Sequence, residues 1–382
     1  MKTGMGAVSS LWVAMAVLFP QSGMSVEAGA PGTPELKEVQ RVTSEHLMSV
    51  TSVAPSNDGK FLYAAAFNSH VVSAFKRDPE TGQLELIQGS QVPELQTAVS
   101  VRLSPDNRYA SASAFSANAV SLFKRDAETG HLTWLTAARQ GEDGNEGLTF
   151  AIDANFSADS RFLYTACSTG IGVFQVGDDK LTFVQSQTAD GQLKGLRAVV
   201  VSPDGGTVYA AGSGSNTIGV LRRDAETGKL EVSQILTDGK DGVESLAGAF
   251  RIAVTADGKH IYVSSGRFSG DQAVTVFEKQ QDGKLQLLEA HVNGEGDFSG
   301  FEGGNSIAIS PDEKQVCVVA SVSDRLVRFR RDPQSGKLTF IGSQVVGEVA
   351  KPGAAGLCFS PDGKFLYVAD ENSSSIVVYQ QP

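Results

Sequence analysis

The chain alternates short apolar runs with polar turns, and this alternation itself repeats. A turn signature of the form Ser-Pro-Asp-Gly, followed by an apolar run that usually carries Tyr, begins in intact or degraded form at Ser56, Ser104, Ser157, Ser202, Thr255, Ser310 and Ser360. The intervals are 48, 53, 45, 53, 55 and 50 residues. Each signature is preceded by four to six mostly β-branched or small residues, as in Arg197-Ala-Val-Val-Val before Ser202, and followed by a second run such as Phe365-Leu-Tyr-Val-Ala. A third run follows a polar loop, as in Ser373-Ser-Ser-Ile-Val-Val-Tyr. A second hairpin signal, Arg-Asp-x-Glu-Thr-Gly-x-Leu, then stands whole at 77–84, 125–132 and 223–230, looser at 331–338 and eroded at 176–181 and 279–285. β-Branched runs joined by Asp/Gly turns read as strands and hairpins. Four of them in about 50 residues make one blade of a β-propeller, and no helical period is sustained anywhere after the N-terminal segment.

The sequence therefore predicts an all-β, seven-bladed propeller of four-stranded antiparallel blades. The seventh unit stops one strand short, at Val377-Val-Tyr-Gln-Gln-Pro, while Pro34-Glu-Leu-Lys-Glu-Val-Gln-Arg-Val near the start has no unit of its own. Completing the last blade with this N-terminal strand closes the ring and removes both free sheet edges. The two repeated turns fall on one face and read as a solvated surface with single Lys and Arg residues. The loops between blades and after the second strand fall on the other face and vary, so chemistry is expected there.

Residues 1–28 are expected to be a cleaved secretory signal. Lys2 supplies the positive start, Met5 to Phe19 are nearly all small or apolar, and Val26 and Ala28 are small residues at the cleavage positions. The run of about 15 apolar residues falls short of the ~20 that span a bilayer, and Pro20 and Gly23 interrupt it. Residues 29–382 then form a single propeller domain, periplasmic or secreted, with no membrane span after signal removal. Cys167, Cys317 and Cys358 lie in strand-like runs of three different repeats and read as small core residues. A net charge of −11 and a pI near 5.0 argue against a nucleic-acid partner, because phosphate recognition needs clustered cations and no basic run occurs.

Candidate chemistry concentrates at the start of each innermost strand, five and four residues before each turn Ser or Thr. Those positions hold Thr51/Ser52, Val99/Ser100, Ile152/Asp153, Arg197/Ala198, Phe250/Arg251, Asn305/Ser306 and Ala355/Gly356. A buried charge must be paired, so one reading is a structural Asp153–arginine bridge among blades 3, 4 and 5. The other is an anion pocket, since two guanidiniums at a funnel mouth suit a carboxylate or phosphate, with Asp153, Asn305 and Ser306 as further substrate contacts. His46 and His70 fall on the variable face and are candidate general bases. His131 and His260 fall in or beside the repeated turns and read as surface residues. The loops Gly141-Glu-Asp-Gly-Asn-Glu-Gly, Asp238-Gly-Lys-Asp-Gly-Val-Glu and Gly294 to Gly304 carry carboxylates spaced by glycine. These suit either a solvated turn or Ca²⁺, although none follows the EF-hand pattern. No nucleophile elbow, phosphate-binding loop or zinc-protease motif occurs, and no cofactor is implied.

The unit Ser-Pro-Asp-Gly-Lys-Phe-Leu-Tyr-Val-Ala-Asp-Glu-Asn at 360–372, with Phe-Lys-Arg-Asp-Pro-Glu-Thr-Gly-Gln-Leu at 75–84 and its relatives, resembles the seven-bladed lactonase propellers. That family includes 6-phosphogluconolactonases and carboxy-muconate cyclases. The resemblance runs over roughly residues 34–382 and rests mainly on scaffold turns. It implies hydrolysis of a sugar lactone or related cyclic ester, using an Arg and a Glu 16 residues apart in one blade. Arg197 matches that Arg, but Ser213 stands at the Glu position, Ala198 and Ile152 at histidine positions, and the Glu element reappears as Asp370-Glu371-Asn372 in blade 7. Arg197 and Arg251 would hold the substrate, and His46, His70 or Glu371 would activate water. The alternative is a non-catalytic propeller that binds a protein, a glycan or a small anionic molecule.

Overall fold

The computed structural model describes residues 35–347 and 353–382, so the expected signal segment lies outside the described residues. The described residues form seven four-stranded antiparallel sheets. Their innermost strands are Val50–Pro55, Ala98–Leu103, Asp153–Phe156, Leu196–Val201, Ala249–Val254, Gly304–Ile309 and Ala354–Phe359. The N-terminal strand, Lys37–Thr43, pairs antiparallel with Ser375–Gln380, with Lys37 opposite Gln380 and Thr43 opposite Ser375. It is the fourth strand of blade 7, as the sequence predicts.

The Ser-Pro-Asp-Gly turns are built by side chains. Ser56 Oγ donates to Asp58 and accepts the amide of Phe61, and Asp58 accepts the amide of Lys60. The same three bonds recur at Ser104, Ser157, Ser310 and Ser360. Apolar side chains of neighbouring sheets interdigitate, so the core is a ring of inter-blade clusters, such as Leu62, Phe75, Tyr367 and Val378 between blades 1 and 7.

The arginines of the second turn are not the solvated residues that the sequence suggests. The side chains of Arg77, Arg125, Arg223 and Arg331 are 2%, 0%, 3% and 0% exposed. Arg125 Nε donates to Tyr63 Oη in the preceding blade at 2.9 Å, and its Nη2 meets Asp58 at 2.8 Å. Arg77 makes the same contacts with Tyr367 and Asp362, and Arg223 with Tyr164 and Asp159. The alkyl stem lies in the inter-blade core and the fork meets its carboxylate at the rim, so charge and packing reinforce each other. His260 is also buried, against the surface reading. Its Nδ1 sits 3.1 Å from Arg331 Nη2, and burial together with that charge holds its pKa below the usual imidazole value.

A second latch joins blades on the opposite face. His70, Asn118, Asn216, Gln272, Asp324 and Ser374 occupy equivalent left-handed positions, with φ between 49° and 58°. Each accepts a backbone N–H at the entrance to the next innermost strand: Thr97, Phe150, Gly248, Gly303, Gly353 and Ser49. The inter-blade loops with spaced carboxylates are tight turns in which Gly141, Gly239 and Gly294 donate to the carbonyls of Asn145, Val243 and Phe298. Among the described residues no group of three or more His, Cys, Asp or Glu could hold a metal ion, and no helix is long and apolar enough to cross a membrane.

Candidate active site

The innermost strands line a central channel of about 300 Å³. In six blades the pairing with the second strand skips one residue, at Thr51, Val99, Arg197, Phe250, Asn305 and Ala355. Such a bulge re-aims the extra side chain out of the regular alternation. In blade 4 the extra residue is Arg197, whereas in blade 5 it is Phe250, and Arg251 beside it lines the channel.

Arg197 stands at the mouth. Its Nε donates to Ser213 Oγ at 2.9 Å, and its guanidinium lies 5.2 Å from the Phe268 ring and 5.8 Å from Phe250. No carboxylate of the described residues lies within ion-pair distance of it. Burial, and then the charge of Arg267, lower its pKa to about 10. Arg251 donates Nη1 to the carbonyl of Arg197, packs 5.1 Å from the Phe250 ring, and also has a pKa lowered to about 10, first by burial. Asp153 does not bridge to either arginine. Its ion pair is with Arg102 of blade 2, at 3.0 Å, while Arg251 acts on it only through the field.

Glu371 closes the other side of the mouth. It follows the second strand of blade 7 and meets Arg267, which follows the second strand of blade 5, at 2.8 Å. Arg267 also donates to Asn305 Oδ1 of blade 6 at 3.3 Å and shares the Phe250 and Phe268 rings with Arg197. Arg267, Asn305 and Glu371 thus tie blades 5, 6 and 7 together at this end of the channel. The sequence matches the family described as "Lactonase, 7-bladed beta-propeller" over residues 30–146, 141–244 and 231–351. The chain belongs to this family.

Among relatives of this lactonase-family propeller, a Bacillus subtilis 6-phosphogluconolactonase is 26% identical over 152 residues, 40% of this chain and 41% of that protein. The chain spans less than half the length of the curated relatives it matches. The solved periplasmic gluconolactonase of Pseudomonas aeruginosa is 21% identical with a TM-score of 0.64, over 78% of this chain and 85% of that one. Kuenenia stuttgartiensis hydrazine synthase is 19% identical with a TM-score of 0.66, over 92% of this chain and 99% of that one. At such identities likeness to a solved structure establishes the fold alone, since one propeller carries unrelated chemistries.

The remaining sequence candidates scatter. His70 is the blade 1 member of the backbone latch: its Nδ1 accepts the Thr97 amide at 2.9 Å, and it lines a separate depression with Val92 and Pro93. The His46 ring lies against the outer strand at Gly89, where a Cβ would come within 2.9 Å of it. Neither reaches the channel lining. Ser306 lines the channel and accepts the amide of Leu357, and Asn305, 1% exposed, is bound to Arg267. Sequence reasoning passed over Arg102, Arg267 and Phe268. Arg102 was within reach, because it lies two residues before its turn, on the same strand face as the residue four before. Arg267 sits in a loop that no strand periodicity governs.

Proposed function

We propose that the protein hydrolyses a lactone carrying an anionic group, at the funnel mouth. The observation that carries this reading is Arg197, a largely buried cation without a carboxylate partner among the described residues, next to the Arg267–Glu371 pair. A desolvated guanidinium is costly unless an anion completes it. Here a substrate carboxylate or phosphate would do so while the aromatic rings of Phe250 and Phe268 exclude water. Glu371 uses Oε2 on Arg267, which leaves Oε1 to take a proton from water. The water oxygen adds to the lactone carbonyl, the arginine N–H groups face the oxyanion, and the ring C–O bond breaks as its oxygen takes the proton back. The product is a hydroxy acid.

The test is acid release by the full chain on a panel of sugar and carboxylated lactones. Turnover that falls about 10²- to 10⁴-fold in Glu371→Gln supports the reading, that being the range for a general base. No hydrolysis of any member by a folded protein that still binds their ring-opened acids at Arg197 would overturn it in favour of a binding propeller. Periplasmic or secreted residence belongs to the same proposal and rests on the N-terminal segment alone.

A further inference from the structure

Seven equivalent positions, eleven residues after each turn Ser or Thr, ring the mouth of the funnel. In six blades the residue there donates its backbone N–H to the carbonyl of the residue seven before the turn, as Phe115 does to Thr97, Ser213 to Gly195 and Glu371 to Gly353. Ser213 and Glu371 hold the two arginines of the mouth, Arg197 and Arg267. Blades 1 and 2 carry Phe67 and Phe115 at the same position, so one arc of the ring is aromatic and another is charged. Phe115 stacks on Phe150 of blade 3, with centroids 4.7 Å apart and planes 19° from parallel, and Phe150 is still 43% exposed. Phe150 also has φ 54°, in the left-handed region that a bulky residue rarely adopts. The same position, seven before the turn, is glycine in the next four blades, as Gly195, Gly248, Gly303 and Gly353. A strained backbone that glycine would relieve, kept beneath an exposed ring, is a cost that folds carry at ligand sites.

The geometry of this pair selects a ligand class. Two nearly parallel rings make a flat platform, which offers an aliphatic group only contact area. An aryl ring laid over it gains the offset-stacked or edge-on geometry that aromatic pairs hold beyond the area they bury. Phe150 and Arg197 belong to neighbouring blades, 3 and 4, and the ring residues of those blades, Ser168 and Ser213, carry no charge. A guanidinium without a carboxylate partner among the described residues, one blade from an aromatic platform, matches a molecule with a carboxylate at one end and a flat apolar ring at the other. We infer that the mouth takes an aryl carboxylate, with its carboxylate at Arg197 and its ring on Phe150 and Phe115. This rests on the reading of the mouth as the substrate site and names the second half of the substrate: the lactone bears an aryl group besides its anion. Phe150 sets specificity and takes no part in the bond changes.

Calorimetric titration of the full chain with ω-phenylalkanoates, from phenylpropanoate to phenylhexanoate, tests this beside their cyclohexyl analogues, which match them in size and charge. The tightest phenyl member is expected to bind about fivefold or more tightly than its cyclohexyl analogue, the advantage of stacking over area alone. Phe150→Gly should erase that preference while the thermal midpoint holds, because glycine suits the left-handed backbone. Phe150→Trp should keep the preference. Arg197→Met should weaken both series alike, by about tenfold or more, the loss of a charge-assisted bond. Equal affinity of the two series, no binding of either, or no effect of Arg197→Met overturns the inference. A preference that survives Phe150→Gly but not Phe268→Leu also overturns it, by placing the ring beside the arginines. Loss of the preference in both Phe150→Gly and Phe150→Trp, with a lowered midpoint, would mark Phe150 as a packing residue and overturn it too. Acid release on carboxylated lactones with and without a phenyl group separates the two readings. No hydrolysis with the binding preference intact removes only the hydrolytic step. Equal hydrolysis of both kinds, unchanged in Phe150→Gly, removes only the aryl assignment.

Discussion

The guanidinium of Arg267 meets the carboxylate of Glu371 at 2.8 Å although one belongs to blade 5 and the other to blade 7. The two side chains are 14% and 25% exposed, dry enough for the contact to hold a geometry and open enough for a substrate to compete for it. In the proposed hydrolysis Arg267 would act on the lactone directly as a cation and on Glu371 as a positioning group. Arg267→Met is expected to lower kcat/KM by about 10- to 100-fold, a loss of about 1–3 kcal/mol of charge-assisted bonding. The thermal midpoint should move little. Steady-state kinetics beside thermal unfolding decide this.

The arginine latches carry stability, not chemistry. Arg223 binds Tyr164, Asp159 and the Gly205 carbonyl with its side chain 3% exposed, while its neighbour Arg222 is 72% exposed. Replacing Arg223 by Met strands Asp159 and a buried tyrosine hydroxyl and should cost about 3–5 kcal/mol. Arg222→Met should stay within about 0.5 kcal/mol. Urea unfolding of both variants tests the contrast, and equal costs would refute it.

Ring closure depends on the strand Lys37–Thr43. Deleting residues 29–43 leaves Ser375–Gln380 as an unpaired edge beside Leu36-free core. The unfolding midpoint should fall by several degrees and the protein should associate through the new edge, which thermal unfolding and light scattering would record.

Burial above all lowers the pKa of Arg197 and of Arg251 to about 10, below the ordinary guanidinium range. An anion binds their charged forms, so its affinity should be level from neutral pH to about 9 and fall as pH rises through about 10. For stability the sign is opposite: a base whose folded pKa is depressed leaves the unfolded chain holding more protons above that value, so this contribution favours folding as pH rises. Titrations with the ring-opened acid of a carboxylated lactone between pH 7 and 10.5, with fluorescence to check the fold, should show the decline in affinity. Flat affinity to pH 10.5 would exclude these arginines as the anion's partners.

Mature protein recovered from its native host should begin near Gly29, which N-terminal sequencing decides. Recovery of the uncleaved chain from a membrane fraction would refute this.

Even the latches left a trace in the sequence. Tyr63, Tyr164, Tyr262 and Tyr367 stand seven residues after their turn Ser or Thr, and each is followed in the next blade by Arg125, Arg223, Arg331 or Arg77. Where blade 2 has Ser111 at that position, blade 3 has Val176 in place of the arginine. Read one turn at a time, the arginines look solvated; read between consecutive repeats, the pairing gives their burial away.

What the sequence by itself determined is the part of the molecule built from local, repeated interactions. Strand alternation, side-chain-built turns and the orphan N-terminal strand each depend on neighbours a few residues away or one repeat away, so periodicity exposes blade number, ring closure and the two faces. The site depends on the ring instead. Arg267 and Glu371 are 104 residues apart, and Asp153 pairs with Arg102 of the adjacent blade rather than with Arg197 or Arg251. His70, a candidate base in the sequence, accepts the Thr97 amide at a left-handed position that Asn, Gln, Asp or Ser fills in other blades. Only closure of seven blades brings such groups to one axis, and no spacing along the chain encodes a distance across that axis.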